Sequence, residues 1–259
     1  AAVDGAVGAL SLVGWSLKVA RTEVNGIGAT RVDVIEGGHR GEIVHDHVHD
    51  HDHVHAHDSH KHRSFAVIRK MLENAPLAGA VRRRAIAGCE TLADAEGAIH
   101  GVAPADVTFH EVGADDSILD IVTASAAIES LRPDRIVASP VPLGRGIGRS
   151  EHGEIPLPAP ATVRLLRGAQ TYGIDAAVET VTPTGAAFLA TWVDEYGPLP
   201  AMTLLGEGYG AGHRSEPRPN LLRVFVGETN DTAAAPRANF LILEANVDDM
   251  NPEWFDAAF

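Results

Sequence analysis

Residues 107–141, VTFHEVGADDSILDIVTASAAIESLRPDRIVASPV, read as a strand, a helix and a strand in succession. VTFHEV (107–112) is strand-like, and a helix begins near Asp115. Pro133, which cannot continue a helix, limits it, and RIVASPV (135–141) reads as another strand. At 100° per residue, Ile118, Ile121, Val122, Ser125 and Ile128 share one side of the helix, with Asp116, Asp120 and Thr123 opposite.

The flanks extend the pattern in both directions. Upstream, apolar spacing predicts a helix over 79–99, with Val81, Ala85, Cys89, Leu92, Ala93 and Ile99 on one side. A shorter helix opens at Ser64 and carries Phe65, Ile68, Met71 and Leu72; residues 1–13 have helical spacing too. LKVARTEV and IGATRVDVIE alternate like two strands around Asn25-Gly26, a hairpin signal weakened by extra residues. Downstream come a Gly/Pro loop (142–160), a short helix ending at Gly168, strand AAVETV (176–181), turn TPTG (182–185) and helix AAFLATWVDEYG. Strands follow at 201–205, 220–227 and 240–247, while Gly206 to Gly212 places four glycines in seven residues and suggests tight turns or a close approach to ligand. The fold class is mixed α/β (α+β): a sheet of mixed strands packed with helices, with one long His-rich insertion expected to be disordered. Residues 1–229 read as one domain, 230–239 as a linker and 240–259 as the opening of another domain.

Composition narrows the function. A chain of 259 residues has ample core. The net charge of −14 repels nucleic acid and suits cations or neutral partners. Arg82-Arg83-Arg84, the one basic cluster, reads as a solvated helix face. Cys89 stands alone, so no disulfide or CxxC site forms within the chain, and its apolar neighbours mark it as a core residue. No apolar run approaches the ~18–20 residues of a membrane span, and nothing at the start resembles a secretory signal. The expected location is the cytoplasm, with no membrane and no nucleic-acid partner. Both ends look cut: the chain opens at Ala1 without Met and stops at NVDDMNPEWFDAAF.

Four constellations carry chemistry. Ten of fourteen histidines fall between His39 and His62. Nine of them, His45, His47, His49, His51, His53, His55, His57, His60 and His62, lie in HDHVHDHDHVHAHDSHKH with four aspartates between them. Imidazole suits borderline divalent metals such as Ni²⁺, Zn²⁺ and Cu²⁺, and carboxylates raise the local cation concentration. At the junction before the long helix, His110 and Glu111 converge with Asp115, Asp116 and Asp120. Asp116 and Asp120 are neighbours at i and i+4, so the face is either solvated or holds a cation. Gly144 to Arg149, GRGIGR, is no complete dinucleotide fingerprint; its amides, Arg145 and Arg149, with His152 beyond, suit phosphate or carboxylate groups. Thr182-Pro183-Thr184-Gly185 opens a helix, where Thr184 could cap and free amides could meet an anion. No Ser-His-Asp order, activated Cys or Walker A sequence is present.

FHEVGADDSILDI, PVPLGRGIGRSEHGEIPLPAPAT, ETVTPTGAA, GEGYGAGHR followed by RPNLLRV, and EANVDDMNPE, in that order, resemble the LarC family of nickel-insertion proteins from about residue 17 to 259. The resemblance implies a lyase-type metal chelatase, a CTP-dependent cyclometallase acting on pyridinium-3,5-bisthiocarboxylic acid mononucleotide. It places Ni²⁺ between two sulfurs and a ring carbon, giving the nickel-pincer cofactor of lactate racemase. CTP with Mn²⁺ or Mg²⁺ is the implied co-substrate. The lactate racemase apoprotein and further copies of the chain are partners it allows. The family's DxxxGxSGDM opening is absent, and its C-terminal, CTP-associated domain follows the NxDDM segment. The chain is therefore expected to be the N-terminal, nickel-handling portion of a longer protein, able to bind nickel without completing the reaction.

In that frame the nine histidines collect Ni²⁺, and His110, Glu111, Asp116 and Asp120 form an ordered catalytic site. Arg145, Arg149, His152, Thr182, Thr184 and Gly185 meet the substrate. Glu111 or His110 could take the ring proton. A non-catalytic nickel or zinc storage chaperone fits the histidine run equally well. A cofactor-processing hydrolase with a metal at Asp116/Asp120 is the third reading.

Overall fold

A computed structural model describes residues 2–10, 15–36, 63–109, 115–150, 153–214, 218–229 and 238–245. Asn25 (φ 50°) and Gly26 (φ 83°) both occupy the left-handed region, so β1 (Trp15–Val24) and β2 (Ile27–Glu36) turn into each other through two residues. Val24 pairs directly with Ile27, so no extra residues intervene in the hairpin.

Before this hairpin lies α1 (Ala2–Ala9). After it come α2 (Phe65–Asn74), α3 (Gly79–His100) and α4 (Asp115–Leu131). Next are β3 (Arg135–Ala138), β4 (Val141–Leu143), β5 (Gly146–Ser150), β6 (Gly153–Leu157) and α5 (Pro160–Leu165). The described chain ends with β7 (Thr171–Gly173), α6 (Pro183–Trp192), β8 (Glu195–Tyr196), β9 (Thr203–Ala211), β10 (Leu221–Thr229) and β11 (Ala238–Ala245). The main sheet has the order β1-β2-β9-β10-β11-β3-β8. It mixes parallel and antiparallel pairs, as the sequence led us to expect. Residues 240–245, read as the opening of another domain, supply β11 to this same sheet.

One apolar core joins the helices to one face of the sheet. Val32 of β2, Ile136 of β3, and Leu222 and Val224 of β10 bury against residues of α1, α2, α3, α4 and α6. Their neighbours in sequence point the other way: Leu221 clusters with Ala29 and Ala211, and Val137 with Met202 and Phe225. The centre of the core is α4, whose residues Ile118, Leu119 and 121–128 are all buried. Each fully buried Leu or Ile there stabilises the fold by about 1.5–3 kcal/mol. Thr123 is fully buried, which corrects the expectation of a polar face opposite Ile121. Packed between α1, α3 and the sheet, α4 has no solvated side there; the Thr123 hydroxyl donates to Leu119 O (2.7 Å) and Ser125 to Ile121 O (2.7 Å).

Six further local expectations are overturned. VTFHEV makes no sheet strand in its described part: Val107 and Phe109 alternate into the core, and Thr108 forms a single bridge to Ser64. RIVASPV splits at Ser139-Pro140, because Pro140 has no N–H to continue a ladder, and β4 pairs with β7 in a separate sheet. The Gly/Pro loop instead contains the hairpin β5–β6. AAVETV is irregular. GEGYGAG continues strand β9, with Gly206, Gly208 and Gly210 opposite Val226, Val224 and Leu222. Nor are Arg82-Arg83-Arg84 a plain solvated face: Arg82 donates to Ala75 O and Leu77 O, and Arg84 pairs with Glu129 at 2.6 Å, tying α3 to α4. Cys89 is buried as expected, and burial pushes its thiol up to about 12, which leaves it unreactive.

Candidate functional site

Strand polarity defines an edge. β2 is parallel to β9, β9 and β11 each run antiparallel to β10, and β11, β3 and β8 are mutually parallel in sequence across the sheet. β2, β9, β11, β3 and β8 therefore all deliver their carboxyl ends to the same side. Ligands of open α/β sheets bind in the crevice outside such ends.

The helices aim there as well. Three residues (132–134) join α4 to β3, so α4 runs back along the sheet and begins at the carboxyl edge. The α6-to-β8 connection is shorter still, and Asp194 within it binds the start of β3: its N–H donates to Ile136 O and its carboxylate accepts from Ile136 N–H (2.7 Å). α6 thus also starts at the carboxyl edge. The chain leaves β2 at Glu36 on this edge to enter the histidine-rich stretch.

At this edge the arginine/glycine segment is locked to the stretch before TPTG. Gly144 N–H donates to the Thr180 hydroxyl (3.0 Å), which itself donates to Pro142 O (2.7 Å). Arg145 N–H donates to Ala176 O (2.8 Å), and the Thr162 hydroxyl to Val181 O (3.3 Å). The backbones are in direct contact: a Cβ at Gly144 would stand 2.0 Å from Val178 O. AAVETV is irregular because Ala176 O and the Thr180 hydroxyl bond to this segment instead of to a neighbouring strand.

The substrate candidates follow from this frame. Arg145 points its guanidinium outward, where Nε and a terminal nitrogen donate to Asp175 Oδ1 at 2.9 and 2.6 Å. Both side chains are largely exposed, so an incoming anion can exchange with Asp175. Arg149 is exposed on β5, in register with Glu154 of β6. Thr182, not Thr184, caps α6. Pro183 fixes the first helical position, and the Thr182 hydroxyl accepts from Gly185 N–H at 3.2 Å. Pro183 has no N–H and that of Gly185 serves the cap, so Thr184 is left as the amide for an anion among the first three helical residues. Thr182→Ala should lower stability by about 1 kcal/mol in thermal unfolding, with Thr182→Ser close to the parent; equal stability of the alanine variant would deny the cap any weight.

Asp120 sits half-buried in the second turn of α4. His110, Glu111, His152 and the nine metal candidates His45 to His62 lie outside the described residues, as does the side chain of Asp116. Among the described residues no group of three or more His, Cys, Asp or Glu could hold a metal ion. None of their helices is long and apolar enough to cross a membrane.

The sequence reading missed one pair. His213 Nε2 and Asp33 Oδ1 lie 2.8 Å apart, joining the end of β9 to β2 across 180 positions. His213 is one of only four histidines outside residues 39–62, and it ends the GEGYGAGH run. That was the available signal.

The nickel insertion protein family model matches residues 1–259. A putative nickel insertion protein of Geobacter metallireducens is 42% identical over 254 residues, 97% of this chain and 60% of its own. The pyridinium-3,5-bisthiocarboxylic acid mononucleotide nickel insertion protein of Geobacillus kaustophilus is 40% identical over 257 residues, covering 94% of this chain and 59% of its own. A putative nickel insertion protein of Syntrophotalea carbinolica is 49% identical over 199 residues, 76% of this chain and 50% of its own. This chain thus spans half to three-fifths of these curated relatives. No solved structure matches it.

Proposed function

The chain belongs to the nickel insertion protein family, and from that premise we propose that it supplies the nickel-handling and substrate-holding part of a cyclometallase. The substrate is pyridinium-3,5-bisthiocarboxylic acid mononucleotide, the compound in the Geobacillus kaustophilus relative's name. Ni²⁺ is inserted between its two sulfurs and a ring carbon to give the nickel-pincer cofactor used by lactate racemase.

One observation supports this best: at a single sheet edge the chain enters its histidine-rich stretch, α4 and α6 begin, and Arg145 is bonded to the segment leading into Thr182. The nine histidines, His45 to His62, collect Ni²⁺. His110, Glu111, Asp116 and Asp120 form the ordered site at the start of α4. Arg145, Arg149 and His152 meet the phosphate and thiocarboxylates, and Thr182, Thr184 and Gly185 shape the helix terminus beside them. The reaction is of the lyase, metal-chelatase type and takes place in the cytoplasm. It consumes CTP with Mn²⁺ or Mg²⁺ in the full-length protein, through a domain that follows NVDDM. The described residues gather no carboxylate set for that ion. Handover to lactate racemase and self-association complete the reading.

The test is incubation of the full-length protein with Ni²⁺, CTP–Mn²⁺ and the dithio-pyridinium nucleotide, following the absorbance of the nickelated product. Product is expected. Metal uptake without product would point to a storage chaperone for nickel or zinc, the reading the histidine stretch alone also fits. Nickel-independent turnover would point to a hydrolase.

A further inference from the structure

We infer that His213, oriented by Asp33, is the base that takes the ring proton during nickel insertion; this rests on the reading above. Forming a nickel–carbon bond at an aromatic carbon requires a C–H bond to break. Its electron pair becomes the Ni–C bond, the proton passes to His213 Nδ1, and nickel stays Ni²⁺ throughout. In the neutral ring, Nε2–H donates to Asp33 Oδ1 (2.8 Å), so Nδ1 carries the lone pair. Asp33 is a positioning residue: it fixes the tautomer and stabilises the imidazolium that results.

Three contacts distinguish this dyad from an ordinary surface pair, because they hold the turn carrying His213 on both sides. An Arg31 guanidinium nitrogen donates to Gly212 O at 3.0 Å. Gly212 N–H donates to Asn220 O at 3.2 Å, and Asn220, itself buried, donates through Nδ2 to Arg214 O at 3.4 Å. The imidazole is half exposed (47%), so it is anchored and still reachable. It stands at the carboxyl end of β9, on the sheet edge to which the Arg145 and Thr182 segments also come. Among the described residues, the charged groups around it are Asp33 and Arg31 on β2, Lys18 opposite Asp33 on β1, and Arg214 in the turn.

The experiment uses full-length His213→Gln and Asp33→Asn proteins in the Ni²⁺, CTP–Mn²⁺ assay, with ring-protonated and ring-deuterated substrate. His213→Gln should lower kcat by about 10²-fold or more at unchanged KM and raise the deuterium isotope effect. Asp33→Asn should give a smaller loss of kcat, again at unchanged KM and with a raised deuterium isotope effect, since the imidazolium loses the carboxylate that positions it. A His213→Gln protein within twofold of the parent in kcat would overturn the proposal. So would a loss confined to KM with the isotope effect unmoved. Absence of product from the parent protein is a different result: it removes the nickel-insertion reading itself, and this proposal with it.

Discussion

Replacing the nine histidines His45, His47, His49, His51, His53, His55, His57, His60 and His62 by serine is expected to remove most of the nickel the protein binds, with thermal unfolding unchanged. Nickel bound per chain, measured by equilibrium dialysis at pH 7.5, should fall several-fold. The reason is ligand supply. Fourteen histidines, three methionines and one buried cysteine are the soft and borderline donors of this chain, and nine of the histidines are in residues 45–62. Stability should hold because the core is built from α1, α2, α3, α4, α6 and the sheet. Each coordinated imidazole must first be deprotonated, so affinity should drop as pH falls through about 6.5. A site using two imidazoles should lose about 100-fold per pH unit below that value. Unchanged stoichiometry in the serine protein would sink the collecting role and shift attention to the ordered edge of the sheet.

What the sequence disclosed about this fold depended on the range of the forces involved. α3, α4 and the β1–β2 hairpin were legible because period and turn chemistry are local: Asn25-Gly26 can take two positive φ angles wherever it stands. Thr123 was misplaced because a helical wheel separates polar from apolar sides but cannot see that α1 and α3 close the second side of α4. GEGYGAG was misread because glycine favours turns by itself, whereas β10 imposes an extended partner on it. RIVASPV and AAVETV failed alike: each takes its shape from segments tens of residues away, β7 for one and Gly144 for the other.

The segments of the candidate site were legible in part for the same reason. Arg145 and the TPTG turn stood out as unusual local strings, and the structure brings their segments together through Thr180. The pairing of Asp33 with His213 depends on the parallel register of β2 with β9, set at Thr30 and Gly210, and no local pattern encodes that.

Gly144→Ala should abolish product formation while costing only part of the fold's stability. The added Cβ would stand 2.0 Å from Val178 O and 3.0 Å from Ala176 O, and both are backbone atoms that cannot rotate away. Gly144 does not have a left-handed φ, so alanine has no conformational objection to the position; the conflict is one of space alone. Relieving it means parting residues 142–145 from 176–180. That breaks Arg145 N–H to Ala176 O and Gly144 N–H to Thr180, and with them the bond from Thr180 to Pro142 O. Overpacking of this kind typically costs about 1–3 kcal/mol, well short of unfolding a core centred on α4. Its effect on the site is larger, because the contacts it breaks hold Arg145 beside the approach to Thr182. Thr180→Val separates the two contributions: it removes both hydroxyl bonds and leaves their buried partners unpaired, at about 1–3 kcal/mol, with no clash between backbones. We expect Thr180→Val to lose stability comparably yet keep more activity than Gly144→Ala. Thermal unfolding together with the nickelation assay reads both quantities. A Gly144→Ala protein with the parent's product yield would show that the alignment of Arg145 with Thr182 is not what the reaction requires.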